Sequence, residues 1–157
     1  MAVATSAGSI LGISSSDPAT YDAAGYGDLS FTAIGEITDL GEFGRQYNLV
    51  THNPIASRGT QKFKGSYNEG TMSLTLALDT DDAGQVAVKA AVNSDANFSF
   101  KLTHSSGDFY YFQAKVMSFR VSVSNVDAMT TATVELELTT NSDGVGVVES
   151  LAPQPAP

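Results

Sequence analysis

The sequence predicts a mainly β protein, folded as an antiparallel β-sandwich or partly open barrel with one flanking α-helix. Apolar and polar side chains alternate with period two along several segments, which is the pattern of half-buried strands. Helical spacing of apolar residues occurs in one stretch only. The 157 residues are 42% hydrophobic and include no Cys, so one ordinary core is expected, without disulfides or thiolate metal sites.

The two ends of the chain lack this alternation. Residues 1–28 are rich in Gly, Ser and Ala and are predicted to be an N-terminal arm or surface loop. Residues 29–150 are predicted to form the β-sandwich domain. The last seven residues, LAPQPAP, are predicted to be an extended Pro-rich tail over 151–157.

Three short strands are predicted in the first part of the domain. They are SFTAIGEITDLG, RQYNLVT and TQKFKG. The stretch HNPIASRG between the last two contains Pro and Gly, so we expect it to be an exposed loop.

The clearest alternation lies in GTMSLTLALD and TATVELELTT. In each segment every second residue is apolar and the residues between are mostly small, hydroxylated or charged, which predicts one buried and one solvated face. The expected buried residues are Met72, Leu74, Leu76, Leu78, Ala132, Val134, Leu136 and Leu138.

A hairpin is predicted next, because NFSFKLT and DFYYFQAKVMSFRVSVS flank the turn sequence SSGD. The second strand is long, and its apolar phase changes near Val116 and Met117. Such a change predicts a β-bulge or bend, through which one strand can serve two sheets.

The one helix is predicted over residues 80–92. Thr80 or Asp79 is a suitable N-cap, and Asn93 is a suitable stop. The predicted packing face combines residues three and four apart. Its members are Ala83, Val86, Ala87, Ala90 and Ala91.

Charge is distributed unevenly along this chain of net charge -9. Residues 1–44 carry six acids and no Lys or Arg, whereas residues 45–64 carry four bases and no acid. The remainder carries eleven acids and four bases. Such an acidic protein repels phosphate, so specific nucleic-acid binding is disfavoured. The basic block is either ordinary surface charge or a segment that meets an acidic face of another copy.

Motifs for catalysis and for cofactors are not found, and we expect no enzyme, no cofactor and no metal site. His52 and His104 have no ligand-type neighbours at metal spacing. DTDDAG begins like a calcium loop but has no acidic residue at its twelfth position, which favours helix capping. Glu135 and Glu137 lie about 7 Å apart on one strand face, and a solvated or channel-facing surface explains them better than a glycosidase pair.

The order of elements is an arm, two strands, a long Gly/Pro loop, two strands, a helix and three strands. Together with GEITDLGEFGRQYNLVTHNPIASRGTQKFKGSYNEGTMSLTLALD and the following DDAGQ helix, it resembles the major tail tube proteins of long-tailed, lambda-like siphophages. The resemblance covers roughly residues 30–140. No single motif in it is diagnostic, but the pattern taken together is specific.

The resemblance implies a structural virion protein. Tube proteins form hexameric rings whose strands join edge to edge into a continuous barrel, and the rings stack around a tape measure protein. Implied partners are further copies of the chain, the tape measure protein, and the tail terminator and tail-tip proteins. DNA would pass through the lumen at genome ejection without specific binding, and no membrane is involved. The implied location is the virion tail, assembled in the host cytoplasm.

The resemblance also suggests site residues. The family uses the long loop, here about residues 45–64, for contact with the neighbouring ring, which assigns Arg45, Arg58, Lys62 and Lys64 to that contact. Acids that line the bore would keep DNA from adhering to it. The leading candidates for lumen-facing residues are Glu135 and Glu137, and Glu69 and Lys101 are further candidates.

Two other functions stay open at this stage. The inner tube protein of a type VI secretion system or contractile tail shares the sheet-and-helix core. A carbohydrate- or cell-binding β-sandwich belongs to another class; the lack of Trp and of a secretory signal disfavours it. An enzyme is a distant third possibility, supported only by Glu135 and Glu137.

Overall fold

The computed structural model describes residues 3–151 of the chain. Apart from Leu151, the predicted Pro-rich tail lies outside the described residues. Ten strands and two helices occur within them. In chain order they are β1 (Ile10–Ser14), α1 (Ala23–Gly27), β2 (Thr32–Ala33), β3 (Ile37–Asp39), β4 (Gln46–His52), β5 (Gln61–Asn68), β6 (Thr71–Ala77), α2 (Ala83–Ala91), β7 (Phe98–Thr103), β8 (Phe109–Ser122), β9 (Thr131–Thr139) and β10 (Val148–Ser150).

Eight strands form one curled antiparallel sheet in the order β2-β1-β7-β8-β9-β6-β3, with β10 paired to β8. Residues 34–36, which lie between β2 and β3, form backbone hydrogen bonds to strands near both ends of the sheet. Ile34 N donates to Leu11 O on the β1 side at 2.8 Å, and Ala77 N donates to Glu36 O on the β6 side at 2.8 Å. The fold class is confirmed as mainly β, in the form of a partly open barrel.

The curl splits one predicted strand. SFTAIGEITDLG forms β2 and β3, which lie at opposite ends of the sheet order. Between them Glu36 has φ +60, a conformation that only a few per cent of non-Gly residues adopt. The break is held in place by its backbone hydrogen bonds to both ends of the sheet.

The alternating strands form as predicted. In β6 and β9 the apolar set is buried and the residues between are exposed or half-buried. Phe100 and Phe112 add stacked rings 5.4 Å apart at the centre of the same core. Leu78 follows the end of β6 and packs on the core edge. The predicted alternation therefore identifies the main hydrophobic layer correctly.

The predicted irregularity in the long strand is confirmed. The pairing of β8 with β9 shifts register between Val116 and Ser118. The first half of β8 pairs with β7 and the second half with β9. Both halves belong to one curled sheet, so the expectation that the strand serves two separate sheets is wrong.

The N-terminal segment departs from the predicted arm. β1 lies inside the sheet between β2 and β7, and Leu11 and Ile13 belong to the core. On the other face, Phe31 packs directly against Gly12, where a Cβ would lie 2.9 Å from its Cβ. A strand covered on both faces shows no alternation, which is why the sequence pattern missed it.

Helix α2 forms where predicted, but Asp82 is its N-cap and accepts from Gln85 N. The predicted packing face is right at Ala91, which is buried, and at Ala87, which is half-buried against the core, but Ala83, Val86 and Ala90 are exposed. Gly84, Gln85 and Val88 are buried instead. The reason is the buried Gln85 amide, which accepts from Asp79 N and donates to two backbone carbonyls.

Candidate assembly surfaces

The β4–β5 hairpin stands apart from the curled sheet. It forms a separate two-stranded sheet, and every residue of β4 is exposed. The two strands flank a tip of residues 53–60, which coincides with the predicted HNPIASRG loop. The segment expected to be a long loop over residues 45–64 is therefore mostly strand, with only its tip irregular.

The two faces of the hairpin differ in chemistry. Leu49 is opposite Lys64, and Thr51 is opposite Lys62, so one face is basic. The other face carries the Val50 and Phe63 pair, in which Phe63 is 54% exposed. An isolated hairpin with exposed apolar side chains is marginal in water, so this element is suited to contact another surface.

A bend connects the hairpin to the sheet. β3 leads into β4 and β5 leads into β6, so the hairpin continues the β3–β6 pair across residues 40–45 and 69–70. Gly41 and Gly70 lie in this bend with φ +69 and +93. A Cβ on Gly41 would collide with the carbonyl oxygen of Ser73. Glycine is therefore required at position 41, where the β3–β6 pair bends into the hairpin.

An ion pair lies on the inside of the bend. Arg45 Nε donates to Glu69 Oε1 at 2.7 Å, and the Glu69 side chain is only 3% exposed. The guanidinium also lies 3.9 Å from the centre of the Tyr67 ring. Hydrogen bonds to Tyr47 and to Glu69 raise the pKa of Arg45 above its ordinary value. The pair joins the residue that precedes the hairpin to the residue that follows it.

The base of the hairpin also contacts residues 141–147. Tyr67 Oη donates to Gly144 O at 2.5 Å, and Val147 N donates to Glu69 Oε2 at 3.3 Å. Gly146 packs so closely on the Glu69 carboxylate that a Cβ there would overlap it. These contacts fix the direction in which the hairpin leaves the sheet.

Two of the predicted site residues are therefore placed differently from expectation. Arg45, expected in a contact between rings, is ion-paired with Glu69 of the same chain, and its side chain is 38% exposed. Glu69 is buried and paired and offers no charge to a lumen. The other three bases of the block, Arg58, Lys62 and Lys64, are exposed.

The outer face of the β6-β9-β8 layer carries the other lumen candidates. Glu135 is opposite Ser73 on β6 and Ser118 on β8. Glu137 is opposite Lys115, and it accepts from Thr71 Oγ1 at 2.7 Å. The exposed cation Arg120 lies on the same face, opposite a threonine. This face is therefore a hydroxyl-rich surface of mixed charge, whereas the sequence suggested a mainly acidic one.

The neighbouring part of the outer face is covered by the N-terminal segment. Ser99 Oγ donates to Ser16 O at 2.8 Å, and Gln113 Nε2 donates to Asp17 Oδ1 at 2.9 Å. Lys101 lies above the Phe109 ring at 4.5 Å. Its place beside the covered region makes Lys101 a poor lumen candidate.

The motifs that could suggest chemistry have structural roles. Asp82 caps α2, and Asp79 Oδ1 accepts from Asp81 N, which agrees with the capping interpretation of DTDDAG. Across residues 3–151 there is no group of three or more His, Cys, Asp or Glu placed to hold a metal ion. No helix in that range is long and apolar enough to cross a membrane.

No family model and no curated protein matches the sequence. Solved structures share the fold. A chain of the anti-feeding prophage (AFP) baseplate superposes with a TM-score of 0.65 at 9% identity, over 88% of this chain and 93% of that one. The PVC sheath/tube terminator of an extracellular contractile injection system superposes with a TM-score of 0.60 at 8% identity, over 96% of this chain and 99% of that one. The SPP1 tail tube superposes with a TM-score of 0.56 at 16% identity, over 90% of this chain and 75% of that one.

Proposed function

We propose that this protein is a structural, non-enzymatic subunit that polymerises with further copies of itself into the tail tube of a phage or phage-like particle. The observation that carries the proposal is an exposed two-stranded hairpin with free edges and apolar side chains, joined to the curled sheet through the Arg45–Glu69 ion pair at its base. Free strand edges are a hazard for a monomer and a means of assembly for a polymer.

The likeness of fold supports this function. The similar structures include the SPP1 tail tube and the PVC sheath-tube complex of an extracellular contractile injection system. The PVC complex superposes with a TM-score of 0.56 over 92% of this chain. The likeness extends over nearly the whole described domain, so it includes the sheet and the elements around it.

In the finer form of the proposal, the subunits form hexameric rings that stack around a tape measure protein. A tail terminator and tail-tip proteins close the two ends, and the genome leaves through the bore in a siphophage-like virion. The tip of the hairpin, with Arg58, reaches the neighbouring ring. The hydroxyl-rich face with Glu135 and Glu137 lines the lumen, where its mixed charge gives DNA phosphates no continuous cationic surface.

Electron microscopy of the purified chain, with its oligomer mass measured over a concentration series, tests the proposal. Rings of six-fold symmetry, or tubes of uniform diameter, are the expected result. A chain that stays monomeric at every concentration, even after addition of tail-tip components, would show that the proposed function is wrong.

A contractile injection system is the second candidate, and the likeness to the AFP and PVC structures favours it. The two candidates differ in whether a sheath encloses the tube. Co-expression with the products of the flanking genes separates them, because only a contractile system supplies a sheath subunit that coats the tube. A neighbouring tape measure gene without a sheath gene would fit the siphophage tail.

A further inference from the structure

An apolar groove lies between α2 and the second half of β8. β7 pairs with β8 only as far as Phe98 opposite Ala114, so within the described part of the chain the edge of β8 beyond that point is open. The groove has a volume of about 410 Å³. Leu78 and Phe119, which both pack against the core, line it together with Val121. The groove therefore leads from the surface to the edge of the main hydrophobic core.

Much of the apolar lining of this groove is in contact with water. Val86 on α2 is 53% exposed, Val121 on β8 is 48% exposed, and Ala90 is also exposed. Covering apolar surface of this kind with another apolar side chain is favourable. The groove therefore suits an aliphatic side chain that enters from outside the subunit.

The tip of the β4–β5 hairpin presents such a side chain. Ile55 is fully exposed there. Two hydrogen bonds close the tip around it: Ser57 N donates to Pro54 O at 3.2 Å, and Thr60 Oγ1 donates to Asn53 Oδ1 at 2.7 Å. Because the tip is held by its own hydrogen bonds, ordering Ile55 in a contact costs less entropy than ordering a flexible loop.

The tip and the groove are associated with opposite ends of strand β6. The hairpin joins the sheet beside Thr71, where β6 begins, whereas the groove lies beside Leu78, just beyond the end of β6. Ile55 is fully exposed, so it does not occupy the groove of its own copy. Copies repeated in one orientation bring the tip of one to the groove of the next. Such a contact is heterologous and extends head to tail.

The charges of the two surfaces are complementary. Arg58 is the one charged residue among residues 53–60. The turn of residues 79–82, which borders the groove and leads into α2, carries three acids, whereas Lys89 is the base in the lining. Arg120 lies on the outer face of β8, in a separate depression with Glu135. The mouth of the groove therefore has an excess of acid, which favours the cationic tip of a second copy.

We propose that Ile55 of one copy inserts into the groove between α2 and β8 of a copy in the adjacent ring, with Arg58 beside the acids of residues 79–82. The inference rests on the proposed function, in which the hairpin tip reaches the neighbouring ring. It adds the residue that anchors the tip and the surface that receives it. The buried aliphatic side chain supplies most of the strength of the contact, and the charges at the rim set its orientation.

Disulfide cross-linking tests the contact directly, because the sequence contains no Cys. Ile55→Cys in one chain is mixed before assembly with Val86→Cys or Val121→Cys in a second, affinity-tagged chain, and the tubes are oxidised with diamide. A mixed dimer is expected with at least one wall of the groove. Asp143→Cys, at an exposed position near the base of the hairpin, replaces the groove variants in the control and should give none. No mixed dimer from either groove variant, or an equal yield from the control, would overturn the proposal.

Removal of the anchor tests its contribution to stacking. Ile55→Ser is expected to raise the concentration needed for tube formation roughly tenfold or more, because the buried aliphatic side chain is lost. Ala56→Ser changes the next residue of the same tip and should have much less effect. Melting curves of the unassembled chains check that both variants fold. Equal threshold concentrations for Ile55→Ser and the unmodified chain would contradict the assignment of Ile55 as the anchor.

The outcomes separate this inference from the proposed function. Tubes that form without the mixed dimer, and at the same concentration with Ile55→Ser, would refute the contact of Ile55 with the groove and leave the tube function standing. A chain that forms neither rings nor tubes under any condition refutes the function itself, and the contact with it.

Discussion

Arg45 Nε lies 2.7 Å from Glu69 Oε1, so the residue that precedes the β4–β5 hairpin is ion-paired with the residue that follows it. Sequence reasoning gave these residues separate roles, one in contact between rings and one in a lumen. In the structure the two side chains form one ion pair at the bend that connects the hairpin to the curled sheet. Residues 46–68 are otherwise exposed along most of their length, so their direction depends on this base.

Replacement of Arg45 by Met should loosen the hairpin. The substitution leaves the Glu69 carboxylate buried without its cation, a state that is costly in a protein interior. Faster hydrogen exchange in residues 46–68 is expected, together with slower assembly. Arg58→Met removes the same charge at the exposed tip and serves as the control for hydrogen exchange, since Arg58 is itself assigned to the proposed contact between rings. If both variants exchange alike in the hairpin, the ion pair does not set its orientation.

Reversal of charge on the hairpin should weaken the stacking of rings. In the proposed tube, Arg58→Glu with Lys62→Glu replaces attraction to an acidic neighbour by repulsion, and exposed pairs contribute roughly 0–1 kcal/mol each. Shorter tubes that dissociate at lower salt are expected, as measured by electron microscopy and light scattering. The neutral variant Arg58→Gln with Lys62→Gln should lie between the two. Unchanged tube length and salt resistance would rule out docking by charge.

Much of the fold could be predicted because most strands have one solvent-exposed face and therefore alternate apolar and polar residues. β6 and β9 alternate strictly, and their buried residues were identified from that pattern. The hairpin strands were found because Tyr, Val, Leu and Phe recur between Pro and Gly signals. β1 escaped prediction because it is buried on both sides, under the core on one face and under Phe31 on the other.

The candidate surfaces were harder to predict because they depend on register and on burial. Nothing local in the sequence indicates that Glu69 is buried or that Arg45 lies beside it, since 23 residues of hairpin separate them. The mixed charge around Glu137 follows from its pairing opposite Lys115, which only the strand register reveals. The open edge of β8 depends on where β7 ends, and the sequence carries no signal for that.

Replacement of Gln85 by Leu should destabilise the subunit. The Gln85 side chain accepts from Asp79 N and donates to Gly35 O and Ala77 O, all at 2.9–3.0 Å. Each backbone group left buried without a partner costs about 1–3 kcal/mol, so a loss of a few kcal/mol is expected in chemical denaturation. Gln46→Leu, on the exposed start of β4, should change the stability by less than about 0.5 kcal/mol. Similar losses for the two variants would contradict this role of Gln85.

Alkaline pH should destabilise the protein through Tyr26. Burial raises the pKa of the Tyr26 hydroxyl above its ordinary value of 10.0, and the ring stacks on Tyr111 at 5.4 Å. The folded state therefore favours the neutral phenol, whose stabilising contribution is complete below the unfolded pKa. That contribution declines as the pH rises above about 10, because the Tyr26 hydroxyl ionises at a lower pH in the unfolded chain than in the folded one. Tyr26→Phe removes the ionisable group and keeps the ring.

Circular dichroism followed from pH 8 to 12 measures this effect, since the signal of the β-sheet is lost on unfolding. The pH of half-unfolding should be higher for Tyr26→Phe than for the unmodified chain, because the variant no longer gains from ionisation at this position when it unfolds. Thermal melts at neutral pH provide the control, as they separate a change in packing from a change in titration. An alkaline midpoint that does not move, with neutral melts also unchanged, would show that another group governs alkaline unfolding.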